Sequence, residues 1–260
     1  MNLIERVYPV RKQTLAQEAA LAYAGKIRAN HDSGLNALVS GEFRPFRGFP
    51  LALLENTFAF SLVLDEESQE TIGKRVIEPL SELAESFGIP MLFAGLGDHL
   101  SHVSVDAFKL SDIPDADKEK VASIINSSKS HASPLKQILA RLRFHFNTLV
   151  VGPNIYICEG DFNDEQGAPF RSRQIIRKIM ERVHSEYPSI DPLYPRYDDL
   201  FHSNVARITS TDSIPEEFIT QAYSTVGADI KENPIEVRSD ELFVGRWIDF
   251  HHRFPTLIAE

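Results

Sequence analysis

Gly97-Asp98-His99-Leu100-Ser101-His102-Val103-Ser104-Val105-Asp106-Ala107-Phe108 changes character at its midpoint. From His102 onward, polar and apolar residues alternate, the period of a strand with one face in a core. That period sends His102, Ser104 and Asp106 to one side and Val103, Val105 and Ala107 to the other. An imidazole and a hydroxyl then stand two residues apart on a rigid element, away from the apolar face. About a hundred residues later, Phe201-His202-Ser203-Asn204-Val205-Ala206-Arg207-Ile208 repeats the pattern. The two strands are expected to face each other across one groove.

The segments before His102 supply its support. Thr57–Leu64 reads as a strand. Asp65 follows at an N-cap position, with Glu66 and Glu67 suited to the positive end of a helix dipole. Ile72, Val76, Leu80, Leu83 and Phe87 recur at helical spacing, and Gly88 supplies a stop. Pro79 inside this pattern should kink or break the helix. Met91–Leu96 reads as a short strand, turned by Gly97-Asp98. Further upstream, Thr14-Leu15-Ala16-Gln17 fits a capping box. Leu15, Ala19, Ala22, Tyr23 and Ile27 form one stripe, which predicts a helix over 14–29. Phe43–Pro50 reads as an aromatic loop carrying Arg44 and Arg47, either a linker or a basic lid for an anion.

Downstream, a polar segment reaches His131, and Ser133-Pro134 opens a short helix with Leu135, Ile138, Leu139 and Leu142 inward. Phe144–Val151 and Asn154–Cys158 read as strands of a hairpin turned at Gly152-Pro153. Ile175, Ile176, Ile179, Met180 and Val183 mark another helix, and Tyr194–Tyr197 an aromatic loop. After the second histidine strand, Ser213 is expected to cap a helix holding Pro215, Glu216 and Glu217, with Phe218, Ile219 and Tyr223 behind them. Ile235–Arg238 and Leu242–Phe250 read as a closing pair of strands. Strand, helix and histidine strand occur twice, so the fold class is α+β with two similar lobes.

Composition sets the outer bounds. The chain has 260 residues, 43 % hydrophobic and 25 % charged, with a net charge of −10. That balance suits a globular protein with a sizeable core. It argues against tight binding to long DNA or RNA, yet leaves room for a small phosphorylated ligand held by a few donors. No apolar run reaches the roughly 18 residues of a bilayer span, so no membrane partner is expected. Met1-Asn2-Leu3-Ile4-Glu5-Arg6 lacks the layout of a signal peptide. With one cysteine, Cys158, no intrachain disulfide is possible, and a cytoplasmic location is expected. The composition fixes no oligomeric state. There is no Gly-rich phosphate loop, Gly-x-Ser-x-Gly elbow or Cys-pair zinc pattern.

His102-Val103-Ser104-Val105 matches the pattern His, any residue, Thr or Ser, apolar, and His202-Ser203-Asn204-Val205 matches it except at the third place. Two such motifs in this order resemble the 2H phosphoesterase superfamily, which includes the 2′-5′ RNA ligase-like proteins and the cyclic nucleotide phosphodiesterases. Glu236–Leu242 followed by Gly245-Arg246-Trp247 is similar to that family's last hairpin, and Ala59–Leu64 with its helix to the first strand-helix unit. The resemblance covers about residues 55–260. It implies two pseudo-symmetric lobes, each an antiparallel sheet with helices on its outer face, around a central groove. Residues 1–50 would be a helical N-terminal extension and 51–260 the phosphoesterase-like domain. It also implies that His102 and His202 are an acid–base pair, with Ser104 and Asn204 binding substrate. Asn204 is the departure, since the family has Thr or Ser there.

The chemistry fits those residue types. A phosphodiester needs a base for the attacking oxygen and an acid for the leaving one, and imidazole, with a pKa near ~6.5, does either. Two imidazoles flanking one phosphate do both without a metal or cofactor. Donors two residues on would hold the non-bridging oxygens. The expected substrate is a small cyclic phosphate, a 2′-5′-linked nucleotide or a short RNA end. Two alternatives stand beside it: a nucleotide-binding module of the same fold without turnover, and a metal site of Asp98, His99 and His102. His251-His252 would point to opposite faces of a strand.

Overall fold

A computed structural model of the chain describes residue 25 and residues 27–45, 57–94, 102–109, 143–159, 202–209, 213–247 and 253–255. Helix α1 covers residues 27–40. Then follow β1 (Thr57–Leu64), α2 (Glu66–Ile72), a π-helical turn (Gly73–Ile77), α3 (Glu78–Ser86) and β2 (Met91–Phe93). The first histidine strand is β3 (His102–Lys109), followed by β4 (Arg143–Phe146), β5 (Thr148–Val150) and β6 (Asn154–Cys158). The second is β7 (His202–Ile208), followed by α4 (Glu216–Ala222), a second π-helical turn (Tyr223–Gly227) and α5 (Ala228–Glu232). Two strands close the chain, β8 (Ile235–Trp247) and β9 (Arg253–Pro255).

The described strands form two antiparallel sheets. One has the order β3-β1-β8-β4, with β9 on β8, and the other β2-β7-β6-β5. With helices packed on them, the chain is α+β, as its pattern predicts. Both sheets and the helices share one core. It takes Leu62 and Leu64 from β1, Phe144 and Phe146 from β4, Val205 and Ile208 from β7, and Phe218 from α4. Burying a side chain such as Phe218, which is fully enclosed, contributes about 1.5–3 kcal/mol. Leu38 of α1 is fully buried in the same core.

Local signals explain many of the boundaries. Asp65 caps α2 by accepting from Ser68 N at 2.8 Å. Gly88, at φ +66°, ends α3. There Ile89 N donates to Ala84 O at 2.9 Å and Gly88 N to Glu85 O at 3.0 Å, a Schellman motif. Gly152-Pro153 turns the antiparallel β5–β6 hairpin. Residues 14–24 of the helix predicted over 14–29, the predicted helices over 133–142 and around 175–183, the segment 46–50 with Arg47, and the loop 194–197 lie outside the described residues.

Several expectations change. Pro79 does not break its helix: Glu78 N donates to Gly73 O, five residues back, in a widened turn, and Pro79 follows at the start of α3. There its missing N–H is harmless. α1 does not stop at Ala29 but runs to Ser40, since Ile27, His31, Gly34, Leu35 and Leu38 keep one face of it turned inward. The cap of α4 is Pro215 without a side-chain bond, not Ser213. Phe144–Val151 is not one strand. It divides at Asn147, with β4 pairing β8 in one sheet and β5 pairing β6 in the other. Conversely, the expected closing pair is a single strand, β8, whose polar Ser239-Asp240-Glu241 is a bulge: Asp240 is an extra residue opposite Val63 and Leu64.

Candidate functional site

The site starts from strand register. On β3, His102 lies opposite Val63 of β1 and Ser104 opposite Ser61, whereas Asp106 lies opposite Phe60. β1 advances one residue where β3 advances two, so Val105 is an extra residue. An unbroken period of two therefore cannot be carried from Ser104 to Asp106. On β7, His202 lies opposite Cys158 of β6 and Asn204 opposite Tyr156, whereas Ala206 lies opposite Ile155, making Val205 the extra residue. The bulge accounts for two adjacent residues, Val205 and Ala206, both being fully buried. Each histidine strand thus carries its bulge one place after the third motif position.

β3 and β7 belong to different sheets and contact each other. The fold therefore brings the two motif-bearing strands together. Val103 and Ser203, at the second position, are both fully buried. His202 and Asn204 are half-buried on the opposite side of β7.

His202 packs against an aromatic ring. The Tyr156 and His202 centroids are 5.0 Å apart, with the planes tilted by 59°. Burial, reinforced by Cys158, pushes the Tyr156 phenol up to about 12, against a lowering by the Asn30 side chain beside it. No hydrogen bond of good geometry reaches the buried Tyr156 hydroxyl among the described residues. Leaving such a group unmatched costs about 1–3 kcal/mol. The Ser203 hydroxyl is likewise buried without a partner among the described residues. Cys158 is fully buried, as expected for a small apolar residue on this strand.

A charged cluster joins β4, β8 and the residue that follows β6. Glu159 is buried and accepts from His145 N at 2.7 Å. The His145 ring reaches Glu159 at 4.0 Å and Glu236 at 3.7 Å. Arg238 Nε donates to Glu236 at 2.7 Å, and this bond holds the Glu236 carboxyl below its usual range against partial desolvation. Neither this cluster nor Tyr156 was singled out by sequence reasoning. The alternation of Asn154–Cys158 carries the signal for Tyr156: Ile155 and Ile157 face the core, which puts Tyr156 and Cys158 on the side of His202.

Asp98, His99, His251 and His252 lie outside the described residues, and Arg44 is exposed. Among the described residues no group of three or more His, Cys, Asp or Glu is arranged to hold a metal. The chain matches no protein-family model, and no curated protein matches it significantly.

Proposed function

We propose that the chain is a metal-independent phosphoesterase acting on a small cyclic phosphate or a 2′-5′-linked nucleotide, a member in kind of the 2H group, with His102 and His202 as its acid–base pair. In this reading the two sheets belong to two pseudo-symmetric lobes with helices on their outer faces, and β3 and β7 flank a central groove. Residues 51–260 form the catalytic domain and 1–50 an extension, and the protein works in the cytoplasm on a small phosphorylated substrate or short RNA end. One observation carries the reading: two strands that open on histidine, each bulged one place after Ser104 or Asn204, meet from separate sheets.

The step is a hydrolysis. Water attacks phosphorus while one imidazole takes its proton. The bond to the leaving ribose oxygen breaks as the other imidazole protonates that oxygen, leaving a phosphomonoester. Ser104 and Asn204 donate to the non-bridging oxygens as their charge grows. The test uses 2′,3′-cyclic nucleotides and 2′-5′-linked dinucleotides in the presence of a chelator. His102→Ala and His202→Ala should each lower turnover by about 10²- to 10⁴-fold with the circular dichroism spectrum kept. Full activity in both variants overturns the assignment.

Asn204 favours a second reading, a nucleotide-binding module of the same fold, because it replaces the expected hydroxyl and lies directly opposite a tyrosine. Saturable nucleotide binding with no product after long incubation identifies that module, and multiple turnovers exclude it.

A further inference from the structure

Tyr156 is left unused by the acid–base chemistry, yet it is the residue packed on one of the imidazoles. It stands opposite Asn204 and diagonal to His202, with the two ring centroids 5.0 Å apart.

The other side of that ring is furnished by α1. Ile27 packs with Val150, Cys158 and Tyr156, and Asn30, nearly one turn further on, lies beside the phenol. The helix is seated firmly beyond these residues. Its backbone approaches the β5–β6 turn so closely that a Cβ on Gly34 would lie 3.1 Å from Gly152 Cα. The His31 ring lies 5.1 Å from that of Tyr223, whose hydroxyl accepts from Val151 N at 2.9 Å. Leu38 is fully buried.

We infer that α1 is a built part of the His202 half-site: Ile27 packs on Tyr156, and Tyr156 holds the imidazole, so that Tyr156 and Ile27 are positioning residues for His202. The terminal torsion of a histidine is broad, and a ring tilted against it narrows that freedom. A catalytic group displaced by about 1 Å can lose ~10²-fold in rate. The kinetic part of this inference rests on the phosphoesterase reading; the packing part does not.

The test follows the His202 Cε1–H resonance by NMR in the full chain, identified by its loss in His202→Gln. Tyr156→Leu should shift the resonance, move its titration midpoint and lower kcat about tenfold, with KM changed less than about threefold. Tyr156→Phe should restore the resonance and bring kcat to within about twofold. Ile27→Ala removes the contact that α1 makes with Tyr156 and leaves the ring itself in place. It should shift the His202 resonance in the same sense as Tyr156→Leu but by less, and this variant decides the matter if Tyr156→Leu does not fold. The inference is overturned if the His202 resonance and midpoint are the same in wild type, Tyr156→Leu and Ile27→Ala. If they respond as expected while the wild type turns over no cyclic phosphate, the phosphoesterase reading fails and the positioning role stands.

Discussion

β3 stands at the end of its sheet and pairs with β1 along one side, whereas β7 lies between β2 and β6, among the described residues. Both open on histidine and both insert an extra residue at the fourth position, Val105 and Val205. They part company at the positions between. The second is a valine in β3 and a serine in β7; the third is a serine in β3 and an asparagine in β7. The same backbone device is therefore mounted on unlike supports. In β7 the register is pinned on both sides, and the strand tolerates a buried hydroxyl at Ser203. In β3 it is pinned on one side, beside a fully apolar Val103.

The comparison can be broken most sharply at the histidines. If the two motifs are equivalent halves of one site, His102→Ala and His202→Ala should each cost the ~10²- to 10⁴-fold of one lost proton transfer. A loss confined to one of them makes the halves unequal. Next in size are the bulges. Deleting Val205 removes a fully buried side chain and closes the bulge of a strand held on both sides, and should lower Tm by about 8 °C or more. Deleting Val105 disturbs one neighbour, and a smaller drop in the same thermal melt is expected. Equal drops would show that the sheet edge is no softer than its interior.

Exchanging the second positions is a gentler probe. Val103→Ser buries a hydroxyl and should cost about 1–3 kcal/mol in urea unfolding. The reciprocal Ser203→Val removes an unmatched hydroxyl and should gain about 1 kcal/mol, or ~2–4 °C in Tm. A loss on Ser203→Val would mean that this hydroxyl has a role that Val103 lacks.

The smallest effect concerns the sheet that holds β3. Glu236 has its folded-state pKa depressed, chiefly by the bond from Arg238. Its contribution is therefore full above the unfolded value near ~4.3 and is lost as pH falls through the lower folded one. Glu236→Gln should remove that share of the acid sensitivity, read as a smaller change in urea midpoint between pH 5 and pH 3. Because the pair is exposed, the difference should fade in about 1 M salt.

The histidine strands, the Asp65 cap, the Gly88 stop and the hairpin at Gly152-Pro153 were legible because each is written within a few neighbouring residues. The bulges were not: Val105 and Val205 look like any apolar residue of an alternating strand, and only the partner's register makes them extra. Asn147 likewise gives no local sign that β4 and β5 belong to different sheets, because the choice is made by β8 and β6, segments remote from β4 or next to β5. Ser239-Asp240-Glu241 misleads for the opposite reason. Its polarity reads as a turn, while the backbone continues as strand. Of the site, the motif positions were readable from spacing, but the packing of Tyr156 on His202 needed the pairing of β6 with β7.

The run 143–150 is one extended chain shared by both sheets, interrupted at Asn147, whose N–H donates to Cys158 O at 3.1 Å. It works as a tie-rod. A shift of either sheet along this run would be passed to the other through the backbone of a single residue. Asn147 is thereby the joint at which the backbone passes from one sheet to the other.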